Sequence, residues 1–118
     1  MSCKIFDGTT INFTAVEQAY TIGTGANAAV SGSWPTIGVG VPFPTKKVVF
    51  HATQDVLIRF VNLEAYLQQA AGSLPGTAAS FVQQTFLANT RYELDLECII
   101  IYVVRSAVDG TLYFNSLA

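Results

Sequence analysis

Charged residues are scarce in this 118-residue chain, at 12% of the sequence against about a quarter in an average soluble domain. Six basic and eight acidic side chains give a net charge of −2, and the basic ones are scattered along the chain. A basic surface for nucleic acid is therefore not expected. Because hydrophobic residues make up 51% of the sequence, the charged side chains are too few to coat a monomer. Either a membrane or neighbouring subunits should cover part of the surface.

Long hydrophobic runs are also missing, which argues against a membrane-spanning protein. The longest apolar run, residues 98–104, has seven residues, whereas a spanning helix needs about twenty. Residues 1–7 lack the apolar core of a secretory signal, and Asp7 stands where that core would lie. An aromatic content of 12% excludes a disordered chain. We therefore expect a folded subunit made in the cytoplasm, with no membrane partner and with neighbours that cover its apolar surface.

Residue types that catalyse reactions or bind metals are few. Cys3 and Cys98 are the only cysteines, and without a secretory signal both are expected to be reduced, buried thiols. His51 is the only histidine, and no G-x-S-x-G motif supplies a nucleophile to accompany it and nearby Asp55. We expect a backbone carbonyl to hold the imidazole. The sequence thus predicts no catalytic residue, no metal site and no cofactor.

Two further sequence patterns resemble functional sites, but a structural role explains each of them better. Glu93, Asp95 and Glu97 project from one strand face about 7 Å apart, so they do not converge as a calcium site requires. We expect them to face Arg59, Arg105 or lysines on neighbouring strands.

Residues 23–28 match the dinucleotide-binding pattern G-x-G-x-x-A, which needs a helix immediately afterwards. Residues 30–35 contain Gly32 and Pro35 and cannot continue a helix, so a flexible loop is expected here.

Alternation of apolar and polar residues, typical of half-buried strands, recurs along the chain. It is clearest over residues 91–97, and residues 98–106, apolar on both faces, predict a central strand. Residues 46–51 and 55–62 predict a hairpin, and Asp109-Gly110 predicts a tight turn between 98–106 and 111–115. The other predicted strands are 9–15 and 80–88. The predicted core comprises Ile11, Phe13, Val48, Phe50, Ile58, Phe60, Phe86, Leu94, Leu96, Ile101 and Val103.

Two segments depart from this alternation. Leu63, Tyr66, Leu67 and Ala70 have helical spacing, which predicts a short helix over residues 64–71. Residues 23–44 hold five of the nine glycines and three of the four prolines, and they predict an arm or long loop that packs on a partner. The candidate interface residues in it are Trp34, Ile37, Val39, Val41 and Phe43. Together the patterns predict one all-β domain over residues 1–118, a β-sandwich or jelly-roll-like fold with one inserted helix.

The C-terminal third carries a resemblance. Residues 89–96 (NTRYELDL), 101–107 (IYVVRSA) and 109–113 (DGTLY) resemble the ending of small β-sandwich virion proteins of tailed bacteriophages. Residues 55–62 resemble an earlier strand of the same proteins, so the likeness covers about half of the chain. The insertion over residues 63–79 departs from the pattern.

The resemblance implies a non-enzymatic structural protein of the virion. It would be a capsid decoration, or cement, subunit that stabilises the assembled head, or another small head or tail component. The implied partners are copies of itself, as a homotrimer, and the major capsid protein or other virion proteins.

Two alternatives from other classes stay open. One is a carbohydrate- or receptor-binding module of a tail fibre or adhesin, with Trp34 and the tyrosines as stacking platforms. The other is a small hydrolase, which the missing nucleophile and base disfavour.

Overall fold

The described part of the chain folds into two antiparallel β-sheets that enclose one hydrophobic core. The computed structural model describes residues 5–22, 26–29, 45–62, 64 and 82–117. Within them the strands are β1 (Ile5–Phe13), β2 (Gln18–Thr21), β3 (Ala26–Ala29), β4 (Lys47–Ala52), β5 (Val56–Val61), β6 (Gln84–Phe86), β7 (Tyr92–Leu94), β8 (Ile100–Arg105) and β9 (Gly110–Leu117). The four-stranded sheet has the order β1-β9-β4-β7, and the five-stranded sheet has the order β3-β2-β8-β5-β6. The predicted all-β class is thereby confirmed.

Strands far apart in sequence pair with one another in a nested order. β1 pairs with β9, β2 with β8, β4 with β7 and β5 with β6. β9 also lies beside β4, and β8 lies beside β5. The two halves of the chain are therefore interleaved in both sheets.

Both predicted hairpins are wrong. β4 lies in the four-stranded sheet and β5 in the five-stranded one, and β8 and β9 are divided in the same way. In each case the loop carries the chain from one sheet to the other across the core. Alternating apolar residues indicate that one face of a strand lies against the core. The pattern is the same whichever sheet the strand joins, so it does not indicate which strands pair.

Gly110 has a different role from the one predicted for it. It is the first residue of β9 and pairs with Phe13 of β1 rather than sitting in a tight turn. A Cβ at this position would lie 2.7 Å from Phe13 Cζ and 2.9 Å from Gln54 Cβ. Glycine is needed here because the neighbouring side chains approach the backbone closely.

The interior confirms the predicted core. Of the eleven predicted residues, eight are buried, and Phe60, Leu94 and Leu96 are partly buried and pack against the same cluster. The alternation missed Tyr20, Ile22, Val56, Leu112 and Phe114, which are also buried. Phe50 lies among the rings of Phe60, Phe86, Tyr92 and Phe114, at centroid distances of 4.9–6.3 Å.

Strand β8 is buried on both faces, as predicted for a central strand. Ile101 and Val103 belong to the core cluster, and Ile100 and Tyr102, which alternate with them, are at most 1% exposed. Two other strands end at different residues from those predicted. β1 ends at Phe13, so Ala15 is exposed, and β6 is confined to residues 84–86, so that Val82 is 77% exposed.

Several predictions concern residues outside the described ranges. They include all five candidate interface residues, Cys3, and the predicted helix except Glu64, which is helical. Part of the 23–44 segment is described, and there it is a strand rather than the flexible loop expected over residues 23–28. Residues Ala26–Ala29 form β3, an edge strand paired with β2. Alanine and asparagine are weak strand formers, so pairing with β2 outweighs their local preference.

Candidate interaction surface

Glu93 of β7 and Asp95, just after this strand, lie beside Lys47 on the outer face of the four-stranded sheet. Lys47 Nζ of β4 lies 3.0 Å from a Glu93 carboxylate oxygen and 3.7 Å from one of Asp95. Arg91 donates to the other Glu93 oxygen at 2.9 Å. The expectation that the carboxylates face a lysine on a neighbouring strand is confirmed for Glu93 and Asp95. Arg59 and Arg105 pair elsewhere, with Glu17 and Asp109.

The ion pairs of Glu93 predict how the stability of the protein depends on pH. Hydrogen bonds from Lys47 and then Arg91, together with their positive charges, hold the pKa of Glu93 below its ordinary value. Its contribution to stability should be present above the ordinary glutamate pKa and be lost as the pH falls through the lowered one. A carboxyl-carbon NMR titration should place Glu93 below ordinary glutamate, and Lys47→Met should raise that pKa. Titration at or above the ordinary value would contradict the ion pair.

His51 lies on the outside of the sheet rather than being held by a carbonyl. It is exposed, and its ring stacks on Tyr113 of β9 with centroids 4.8 Å apart and an angle of 22° between planes. Asp55, the acid near it in sequence, accepts the backbone N–H of Ala88 at 2.8 Å instead. Among the described residues, His51 and Asp55 are therefore not brought together as the base and acid of a triad would be.

Cys98 is a free thiol in the core, as predicted. Its backbone N–H donates to Thr45 Oγ1 at 3.1 Å, and that hydroxyl lies 3.7 Å from the sulfur. Thr45 is itself buried and also donates to the carbonyl of Leu96. Burial is the main reason that the pKa of the Cys98 thiol is raised to about 12.

This thiol should be unreactive until the protein unfolds. Because the thiolate is the nucleophile, iodoacetamide at pH 8 should leave Cys98 unmodified in the native protein and label it in denaturant. Since an unfolded thiol ionises near pH 8.5, stability should fall as pH rises from there towards about 12. Peptide mass spectrometry distinguishes the labelling of Cys98 from that of Cys3. Rapid labelling of native Cys98 would show that the site is open to solvent.

Four loops meet at one end of the two sheets, which we call the loop end. They are residues 14–17 (β1–β2), 53–55 (β4–β5), 87–91 (β6–β7) and 106–109 (β8–β9). The strand registers place them together: Phe13 pairs with Gly110, Ala52 with Leu112, and Val56 with both Phe86 and Arg105.

Hydrogen bonds join these loops to one another. Asp55 is central, because its carbonyl accepts from Ser106 N at 3.2 Å and its carboxylate accepts from Ala88 N. Arg105 N donates to Thr14 O at 2.9 Å, and Asn89 N donates to Ala52 O at 2.8 Å. Asn89 has a positive φ of 56°, which asparagine tolerates better than most residues. The loops are thus held in a fixed arrangement.

Exposed hydrophobic side chains concentrate at the loop end. Among the described residues, five large ones are exposed, and three of them lie there: Val16 (55%), Leu87 (57%) and Val108 (55%). The other two are Val82 and Tyr113. Scattered exposed hydrophobic residues are ordinary, but a group on one hydrogen-bonded end is typical of an interaction surface.

A cavity of about 510 Å³ opens on another part of the molecule. Phe60, Val82, Leu94 and Leu96 provide most of its described lining, with Gln84 and Asp95 at polar positions. No cluster of three or more metal-ligating side chains occurs in the described ranges, and none of the helical residues there forms a helix that could cross a membrane. The described lining of the cavity is thus mainly hydrophobic.

Comparison with known proteins does not identify a relative. No protein-family model, curated protein or solved structure matches the chain.

Proposed function

We propose that the protein is a non-enzymatic structural subunit of a tailed-bacteriophage virion with a jelly-roll fold. The nested strand order supports the fold. Without β3, eight strands pair first with last, second with second-last, and so on to β5 with β6. This is the pattern of one long hairpin wrapped around a core, and two-sheet jelly rolls of eight strands occur in viral capsid domains and lectins.

The observation that carries the function is the apolar loop end. A fold that leaves Val16, Leu87 and Val108 on one fixed surface, with few charges to solvate it, is suited to permanent association with other proteins. The resemblance adds the context of the virion, because the residues that carry it occupy β7, β8 and β9. We place the protein on the head as a decoration subunit bound to the major capsid protein, and we propose a homotrimer.

Purified particles provide the test. The phage that encodes the chain should contain the protein at a stoichiometry fixed by the head symmetry, measurable by quantitative mass spectrometry. Purified protein should bind heads prepared from a deletion of its gene and should not bind isolated tails. Binding to tails alone would move the protein to the tail, and absence from particles would refute the virion function.

The segment 23–44 adds a prediction about association. If Trp34 anchors contacts between subunits, Trp34→Ala should weaken association by at least about 2 kcal/mol, since aromatic anchors dominate interfaces. Sedimentation equilibrium measures this and tests the trimer at the same time. A lower melting temperature with unchanged association would instead place Trp34 in its own domain.

A carbohydrate-binding module is the second candidate, and one observation favours it. The stacked rings of His51 and Tyr113 stand exposed on a sheet face beside the hydrogen-bonded pair Asn12 and Thr111. Aromatic rings with neighbouring amide and hydroxyl groups can stack on a sugar and bond its hydroxyls. Glycan binding that Tyr113→Ala abolishes, with assembly unchanged, would favour this function over the structural one.

A further inference from the structure

We infer that the loop end is the surface by which the subunit docks on the head, and that its partner is an uncharged, apolar patch that repeats over the assembled shell. This inference rests on the proposed virion function and names the surface and the partner chemistry for it.

The order of the strands brings the exposed hydrophobic residues of the loop end into one row. Val16 precedes β2, Val108 follows β8, Asp55 precedes β5 and Leu87 follows β6, and these strands are neighbours in the order β2-β8-β5-β6. At about 4.8 Å between strands, the row is roughly 14 Å long. Exposed Ala15 and Ala107 extend its apolar character.

The charges near the row indicate a neutral partner. Arg105 is paired with Asp109 at 2.7 Å, and Arg59 with Glu17 at 3.2 Å. The carboxylate of Asp55 accepts the N–H of Ala88. Arg91, in the 87–91 loop, is paired with Glu93 at 2.9 Å, so all of these groups are already engaged within the subunit. A strongly charged partner would have to compete with those pairs or leave its own charges desolvated, so an apolar surface fits better.

The fixed loops reduce the cost of binding. Hydrogen bonds from Ser106 and Ala88 join three of the loops through Asp55, and a bond from Arg105 joins the fourth loop, at Thr14, to the end of β8 before any partner is present. Less conformational entropy is then lost when the row is covered, which is the advantage of a preorganised surface.

The size of the row indicates that the partner is a repeating surface. With the sheets about 10 Å apart, the row of one subunit covers roughly 140 Å². A stable one-to-one complex needs about 800 Å² on each side. Several copies held together in one oligomer can nevertheless bind tightly if each meets an equivalent patch, because the later contacts are intramolecular. An assembled shell offers such patches, whereas an isolated shell protein offers only one.

Single charge substitutions test the surface, and the chain contains a matched control. Leu87→Asp and Val108→Asp place a carboxylate in the row, while Val82→Asp places one at an exposed valine beside the cavity. The probe is the head purified from phage deleted for this gene, with the isolated capsid protein as a second probe. Circular dichroism and thermal melting establish that each variant is folded.

We expect wild type and Val82→Asp to bind heads equally, Leu87→Asp and Val108→Asp to bind at least about tenfold more weakly, and none to bind the isolated capsid protein tightly. Wild-type binding that both loop-end variants retain, or that Val82→Asp alone removes, would overturn the inference and leave the virion function intact. Tight binding to the isolated capsid protein would contradict the inference that the partner is a repeating surface. If wild type binds no head, the proposed function falls, and the inference falls with it.

Discussion

Phe50→Ala should lower the free energy of unfolding by about 3–5 kcal/mol. The side chain is 1% exposed, and four aromatic rings surround it from both sheets and from edge strand β7. Removing the ring leaves a cavity that these neighbours cannot all close, so transfer and packing energies are both lost. Urea denaturation followed by fluorescence or circular dichroism measures the change.

Tyr113→Ala is the control for that result. Tyr113 lies on neighbouring β9 but projects outwards and is 40% exposed, so its loss should cost under about 1 kcal/mol. Phe60 and Leu94 are only partly buried, so their replacement by alanine should cost about 2 kcal/mol. A cost for Phe50→Ala no greater than that for Tyr113→Ala would mean that the core does not lie between these sheets.

Gly110→Ala should destabilise the protein by about 1–3 kcal/mol. The new methyl group would meet Phe13 Cζ at 2.7 Å and Gln54 Cβ at 2.9 Å, and neither neighbour can move freely. Phe13 is fully buried, and Gln54 Cβ is attached directly to the backbone. The strain should appear as a lower midpoint in urea with an unchanged denaturant dependence.

Gly8→Ala provides the comparison, because the crowding there is of another kind. Its Cβ would meet the Asn115 side-chain oxygen at 2.8 Å, but Asn115 is exposed and its amide can rotate away. We expect a change within about 0.5 kcal/mol. Equal effects of the two substitutions would show that the contacts of Gly110 can relax as easily as that of Gly8.

Burial was predictable from sequence because alternation reports it directly. Ile11, Phe13 and Phe86 fall on the apolar side of alternating segments, and they lie in the core. Pairing was not predictable, because the same alternation fits a strand in either sheet. Short loops such as 53–55 therefore suggested hairpins where the chain in fact crosses between sheets.

The candidate surface was predicted only in part. The excess of hydrophobic residues over charges indicated that some surface would be covered, but not which one. Val16, Leu87 and Val108 are single hydrophobic residues in separate loops, and no local pattern connects them. They become one surface only when β2, β8, β5 and β6 are neighbours, which is a property of the topology. The Trp34 segment remains a prediction.

The pairing of β1 with β9 has a consequence for synthesis of the protein. Ile5 lies opposite Leu117, and β9 separates β1 from β4, so the four-stranded sheet has no continuous centre until β9 exists. Contacts of such long range make folding slow. A ribosome-bound chain that lacks β9 should therefore remain open and exposed to chaperones and proteases, and an incomplete translation product should be degraded.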